Sequence, residues 1–197
     1  MKIVAIVQAR LGSKRLPNKV IKVIDGSSMI EILLKRLSRS KLIAKIVVAT
    51  SIDSKDNKLK LLINKLGYDC EQGSIDNVLN RYICVAEKYE ADIVVRITGD
   101  CPLVDPEIVD QVINKFKEDS VDYCSNTNPP TFPDGLDVEV FTLDALKKSS
   151  SMTTNKSDLE HVTPYLRESG NFKTSCLENE VDLSEMRWTV DESVDFE

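Results

Sequence analysis

The sequence predicts an α/β protein built on a mostly parallel sheet with helices on both faces. Three observations carry this. Short apolar runs rich in Val and Ile recur along the chain, at 3–7, 46–49 and 93–97, as in strands buried on both faces. Segments with apolar residues at helical spacing separate them. The length of 197 residues suits one α/β domain and is short for two.

In order along the chain, Ile3–Val7 reads as the first buried strand, and a polar, basic loop runs from Gln8 to about Lys19. Ser28 precedes a helical pattern in Met29, Ile30, Leu33, Leu34 and Leu37. Ile46–Ala49 is the next strand. The helical spacing returns through Leu59, Leu62, Ile63 and Leu66, with Gly67 placed to end that helix. Asp76 is read as the cap of a helix running to about Tyr89, and Ile93–Ile97 as a strand. Pro106 opens a helix at its first turn, where a missing N–H costs little. Val121–Cys124, Val138–Phe141, Phe172–Leu177 and Arg187–Val190 read as further strands, and Ser157 as the cap of a helix through Leu166. This alternation favours a parallel sheet. Ligands of such sheets gather outside the carboxyl ends of the strands, which directs attention to the loops there.

Composition narrows the functional classes. Hydrophobic residues make up 42% and charged residues 29%, an ordinary globular balance. A formal net charge of −6 argues against wholesale binding of nucleic acid or an anionic membrane, so a polyanionic ligand would need a local basic site. The five cysteines form no C-x-x-C pair, which fits reduced thiols in a cytoplasmic protein better than a disulfide or zinc framework. The apolar run at the N-terminus is too short for a signal peptide or a membrane span.

The basic loop Q-A-R-L-G-S-K-R-L-P-N-K supplies such a site. Arg10, Lys14, Arg15, Lys19 and Lys22 fall in an interval without a carboxylate, and Gly12 and Ser13 permit close backbone approach. Such a loop is either a solvated turn or a cradle for anionic oxygens. It is neither a P-loop nor a dinucleotide fingerprint. In I-V-V-R-I-T-G-D-C-P, Asp100 follows a strongly apolar strand, where it is either a turn residue or a carboxylate for magnesium. Arg96 lies inside that strand and needs a partner, with Asp100, Asp137 or a substrate carboxylate as candidates. In the C-terminal M-R-W-T-V-D-E-S-V-D-F-E, Asp191 is the best candidate to share a metal with Asp100. Trp188 reads as a packing residue, and Asp195 and Glu197 as helix-start or solvated acids.

Taken together, Q-A-R-x-G-S-x-R-L-P-x-K, V-V-A-T-S, G-S-x-D-N-V-L-N-R, V-R-I-T-G-D-C-P-L-V-D-P, P-D-G-L-D-V-E-V-F, E-H-V-T-P-Y and R-W-T-V-D resemble the spore-coat polysaccharide branch of the cytidylyltransferases. That branch is similar to the enzymes that activate sialic acids and 3-deoxy-manno-octulosonate with CMP. The resemblance runs from Met1 to Glu197. It implies a Rossmann-like three-layer α/β/α fold and a homodimer. It implies CTP held by Arg10, Gly12, Ser13, Arg15 and Lys19, with Asp76 and Arg81 shaping the nucleotide pocket, and Mg2+ on Asp100 and Asp191. Arg96, Asp137, Glu139, Glu160 and His161 fall at the expected sugar site, although His161 also reads as an ordinary helix residue. The implied reaction is attack by the anomeric hydroxyl of an acidic 2-keto sugar on the α-phosphorus of CTP. Arg10, Lys19, Asp100 and Asp191 would carry the catalysis. Arg96 and Thr98 depart from the amide-containing pattern of the octulosonate enzymes. Relatives generally continue with a final helix, so residues 1–197 are expected to be one catalytic domain of a longer polypeptide or one lacking that helix. The rival readings are a glycosyltransferase, for which Asp137-Val138-Glu139 is a poor D-x-D, and a non-catalytic nucleotide-binding scaffold.

Overall fold

Nine strands and seven α-helices form in the computed structural model, which describes residues 1–197. The strands are β1 (Ile3–Gln8), β2 (Val23–Ile24), β3 (Ser27–Ser28), β4 (Lys45–Ser51), β5 (Asp69–Gly73), β6 (Ile93–Thr98), β7 (Tyr123–Ser125), β8 (Glu139–Thr142) and β9 (Thr174–Cys176). The helices are α1 (Met29–Leu37), α2 (Asn57–Lys65), α3 (Val78–Lys88), α4 (Pro106–Asp119), α5 (Leu143–Met152), α6 (Lys156–His161) and α7 (Pro164–Glu168). β2 and β3 make a small hairpin; the other seven strands form one sheet in the order β5-β4-β1-β6-β8-β7-β9. Every pairing in that sheet is parallel except those of β8, which runs antiparallel to both β6 and β7. The expected three-layer α/β/α fold with a mostly parallel sheet is therefore the fold observed.

Strand alternation builds a core on each face of the sheet. Ile3, Ala5 and Val7 of β1, with Ile93, Val95 and Ile97 of β6, pack beneath α1, α2 and α4. Val4, Ile6 and Val94 pack on the other face beneath α3, α5 and α7. Each fully buried Leu or Ile in α1 contributes roughly 1.5–3 kcal/mol, which fixes that helix against the sheet. No helix is long and apolar enough to cross a membrane.

Several boundaries differ from the sequence expectation. Asn77, not Asp76, caps α3, its side chain accepting from the Asn80 N–H. Asn155, not Ser157, caps α6. The helix expected to run through Leu166 breaks at Val162, whose φ of 74° and ψ of −52° form a tight γ-turn closed by Thr163 N–H donating to His161 C=O at 2.9 Å. Residues 187–190 are extended but join no ladder: Trp188 and Thr189 N–H donate to Asp134 C=O, and Val190 N–H to Asp100 C=O. β5 and α5 are additional elements. β5 is a polar edge strand, and α5 buries only Ala145, Leu146 and Ser149.

Candidate active site

Strand order in the sheet reverses between β1 and β6, and the crevice at that reversal opens at their carboxyl ends. Gly99 makes the crevice possible: a Cβ there would lie 2.9 Å from both the Ala9 Cβ and the Gln8 C=O. The loops after the two strands can therefore run side by side, joined by Gly99 N–H donating to Gln8 C=O at 2.8 Å.

The basic loop curls over this crevice. Its ends are tied by Asn18 N–H donating to Leu11 C=O, with Asn18 in the left-handed region at φ 60°. Leu11 N–H donates at 2.8 Å to Asp56, a buried carboxylate that also accepts from the Ser51 N–H and hydroxyl. Asp56 thus anchors the loop to the end of β4. Sequence reading did not single it out, because an acid at a helix start reads as a cap.

Lys19 turns inward and is buried. Its Nζ donates to Asp100 Oδ2 at 3.1 Å, Asp191 Oδ1 at 2.8 Å and the Val190 C=O at 2.7 Å. Two carboxylates far apart in sequence thus lie within 3.1 Å of one nitrogen. Arg15 reaches Asp191 at 3.0 Å, and Arg187 reaches Asp134, Asp191 and Asp195. Burial pushes the Asp191 carboxyl up, but Lys19, Arg15 and Arg187 outweigh it and hold the group below the usual carboxylate range. Asp195, expected as a helix-start or solvated acid, instead accepts the backbone N–H groups of Asp191 and Glu192 and clamps the turn that presents Asp191. Gly135, at φ 110°, lets residues 188–189 pass: a Cβ would stand 2.5 Å from the Thr189 nitrogen. Trp188 does not pack into the sheet and is 41% exposed.

Arg10, Ser13, Arg15 and Lys19, expected to hold a nucleotide, line a cleft of about 430 Å3 together with Lys14 and the expected metal ligands Asp100 and Asp191. Gly12 is exposed in the loop beside it, with nothing within 4 Å of its Cβ position. Lys22 leaves the group and lies over the Phe196 ring. Arg10 also borders a second cavity with Ser74, Asp76, Asn77 and Glu160, and pairs with Glu160 at 3.9 Å. Arg81 is buried. Its Nη1 donates to the Ser74 C=O and its stem packs under Gly73, so it holds the 74–77 loop from behind.

A cavity of about 460 Å3 lined mainly by polar and charged side chains adjoins the cleft. Its floor follows from alternation: Arg96 and Thr98 of β6, with Asp137 and Glu139 on the β8 side, share the sheet face of Val94 and Phe141. Arg96 and Glu139 are register partners and form an ion pair, so the partner of Arg96 is Glu139 and not Asp100 or Asp137. Glu139 also accepts from the Tyr123 hydroxyl at 2.7 Å and the Thr163 hydroxyl at 2.6 Å. Burial alone would raise its carboxyl, but Arg96 and the two hydroxyls hold it low. With its oxygens so committed, Glu139 positions Arg96 and is a poor half of a D-x-D. His161 and Thr163, turned by Val162, close the cavity together with Arg167, which the sequence reading passed over.

Asp100 and Asp191 fit a hard divalent cation. They already share one buried positive charge, and no third Asp, Glu, His or Cys joins them. Two carboxylates leaving room for phosphate oxygens and water is the donor set magnesium favours.

Known proteins match this chain throughout. It is similar, at 42% identity over 199 residues covering all of this chain and 81% of the relative, to an uncharacterised protein of Methanocaldococcus jannaschii. The spore coat polysaccharide biosynthesis protein SpsF of Bacillus subtilis is 34% identical over 170 residues, covering 84% of this chain and 70% of the relative. A cytidylyltransferase structure from Leptospira borgpetersenii superposes with a TM-score of 0.96 at 35% identity, covering all of this chain and 84% of that one. The fold extends to a CMP:2-keto-3-deoxy-manno-octonic acid synthetase complexed with CTP, at a TM-score of 0.75 and 18% identity, covering all of this chain and 95% of that one. Residues 4–194 match the sequence profile named Cytidylyltransferase, and the chain belongs to that family of nucleotidyltransferase enzymes.

Proposed function

We propose that the protein transfers the cytidylyl group of CTP to an acidic 2-keto sugar, releasing pyrophosphate, for surface polysaccharide synthesis. The observation that carries this reading is the meeting of Asp100 and Asp191 on Lys19, in a cleft shared with Arg10 and Arg15 and beside a mainly polar cavity. The triphosphate lies in the cationic cleft, along the Arg10–Lys19 loop. The 74–77 loop, with Asp76 on it and Arg81 behind it, borders the rest of the nucleotide. The sugar occupies the polar cavity, where its hydroxyls meet Thr98, Thr127, His161 and Thr163. Family membership and the CTP complex of a protein of the same fold support the nucleotide.

The chain's residues do three things in this reading. They hold the hydroxyl in line with the α-phosphorus, which removes most of the entropic cost of a bimolecular encounter. Arg10, Arg15 and Lys19 neutralise charge gathering on the departing pyrophosphate. Asp100 and Asp191 would hold Mg2+, which when bound supplies Lewis-acid stabilisation of the phosphate oxygens. We extend the proposal to the assembly: residues 1–197 act as one catalytic domain, in a cytoplasmic homodimer.

The test is pyrophosphate release from CTP and magnesium with a panel of 2-keto sugar acids, including 3-deoxy-manno-octulosonate and a sialic acid. Release of free nucleotide from a nucleotide sugar, with no pyrophosphate from any acid, would replace this reading with a glycosyltransferase. Magnesium-dependent binding of CTP without turnover would leave a scaffold.

A further inference from the structure

Among the acids around the polar cavity, Asp137 differs in having no side-chain partner, its carboxylate accepting only from the Gly135 backbone N–H. Glu139 is bound to Arg96, Tyr123 and Thr163, and Glu168 accepts from Arg167 Nε at 2.9 Å. No side chain donates to Asp137. Its place is nonetheless fixed. Buried Asn126 donates to the Leu136 C=O at 2.9 Å and accepts from the Val138 N–H at 2.8 Å, which pins the backbone on both sides of Asp137.

The sheet register says where this carboxylate points. Arg96 pairs with Glu139 across the β6–β8 ladder, and continuing that register sets Asp137 opposite Thr98, two residues before Asp100. Asp137 therefore lines the sugar cavity on the same side as Glu139, one step further along toward Thr98, which borders both that cavity and the nucleotide cleft.

We infer that Asp137 is the general base of the transfer, a role that rests on the function proposed above. Its carboxylate takes the proton of the sugar hydroxyl as that oxygen bonds to the α-phosphorus. The bond from the α-phosphorus to the bridging oxygen breaks, and pyrophosphate leaves with the electron pair. The proton held by Asp137 then passes to solvent. The surroundings favour the task. Burial, then the like charges of Asp134, Glu139 and Asp100, outweigh the Gly135 N–H and raise the Asp137 carboxyl to about 6. The two arginines lining the cavity are committed elsewhere, Arg96 to Glu139 and Arg167 to Glu168. A carboxylate so poised is ionised at neutral pH yet basic enough to accept a proton.

The experiment compares wild type and Asp137→Asn with magnesium, CTP and the same panel of acids. The variant is expected to lose about 10²–10⁴ in kcat, with KM for CTP unchanged. The wild-type kcat/KM is expected to fall as pH drops below about 6, with a limb absent from the variant's residual activity. A variant melting at or above the wild-type temperature at pH 8 separates this loss from unfolding. Variant turnover within threefold of wild type overturns the assignment, as does an acidic limb that survives the substitution. The wild-type profile needs no variant, and a flat one through pH 6 also overturns it. A wild type silent with every acid removes the proposed function and the base with it. An active wild type matched by the variant removes the base alone.

Discussion

Lys19 is the residue on which the site turns. Its buried ammonium keeps Asp100 and Asp191 together, two carboxylates that would otherwise repel each other across a partly dry cleft. Removing one partner of a partly buried ion costs about 1–3 kcal/mol, and here Asp191 keeps Arg15 and Arg187 while Asp100 is 30% exposed. Lys19→Met is expected to lower unfolding free energy by about that amount in denaturant titrations without ligand. In the proposed reaction it should also lose about 10²–10³ in turnover, the typical cost of removing one electrostatic contribution to the transition state. An unchanged denaturation midpoint would mean that Lys19 does not bridge the acids in solution. Glu139 illustrates the converse case. A motif match marks it as a sugar contact, yet its oxygens are saturated by Arg96, Tyr123 and Thr163, so its influence on substrate passes through Arg96.

Among the elements, the extended segment 186–191 carries the site's last acid without belonging to any strand. It is held by backbone bonds to Asp134 and Asp100 and by close passage over Gly135. A residue with a Cβ at φ 110° is strained, and here the Cβ would also strike Thr189, so local relief is impossible. Gly135→Ala is expected to cost about 1–3 kcal/mol of stability. It should lower kcat more than a surface substitution of equal thermodynamic cost, because Asp191 moves with the segment. Thermal melts and steady-state kinetics on the same preparation check both. On the opposite wall, the γ-turn at Val162 does comparable work. It ends α6 at His161 and turns Thr163 toward Glu139, placing a β-branched residue in a rare conformation at the mouth of the cavity.

For the whole molecule, the buried acids set the pH dependence of stability. Asp137 rises from 3.8 to about 6 on folding. Below about pH 4 it is protonated in both states and costs nothing. Between 4 and 6 the native state keeps a proton that the unfolded state has lost, so stability falls as pH rises. Above about 6 the cost is complete, at up to about 3 kcal/mol from the pKa difference at 1.36 kcal/mol per unit. Glu139 and Asp191 are held low and act in the opposite sense, giving up their contribution as pH falls through the carboxylate range. The protein is therefore expected to melt at a higher temperature near pH 5.5 than at pH 8, and Asp137→Asn to flatten that difference. A melting temperature rising steadily from pH 5.5 to 8 would contradict it.

The sequence by itself determined the layers and the floor of the site. The apolar runs at 3–7, 46–49 and 93–97, and the spaced leucines of α1 and α2, encode which faces are buried, and burial is a local property of period and composition. The loops after β1 and β6 were legible for the same reason, since polar, glycine-bearing segments can only follow the ends of such strands. Elements with weak patterns were not legible: β5 is polar because it is an edge strand, and α5 packs through only three buried residues. Only the tertiary structure decided which charges meet. Asp100 finds Asp191 through Lys19, Arg96 finds Glu139 across an antiparallel ladder, and Asp56 anchors a loop from the next strand. Contacts of this kind join residues between 43 and 172 positions apart, where no periodicity reaches. Strand order and register choose the partners, and these depend on how the whole sheet closes its two cores.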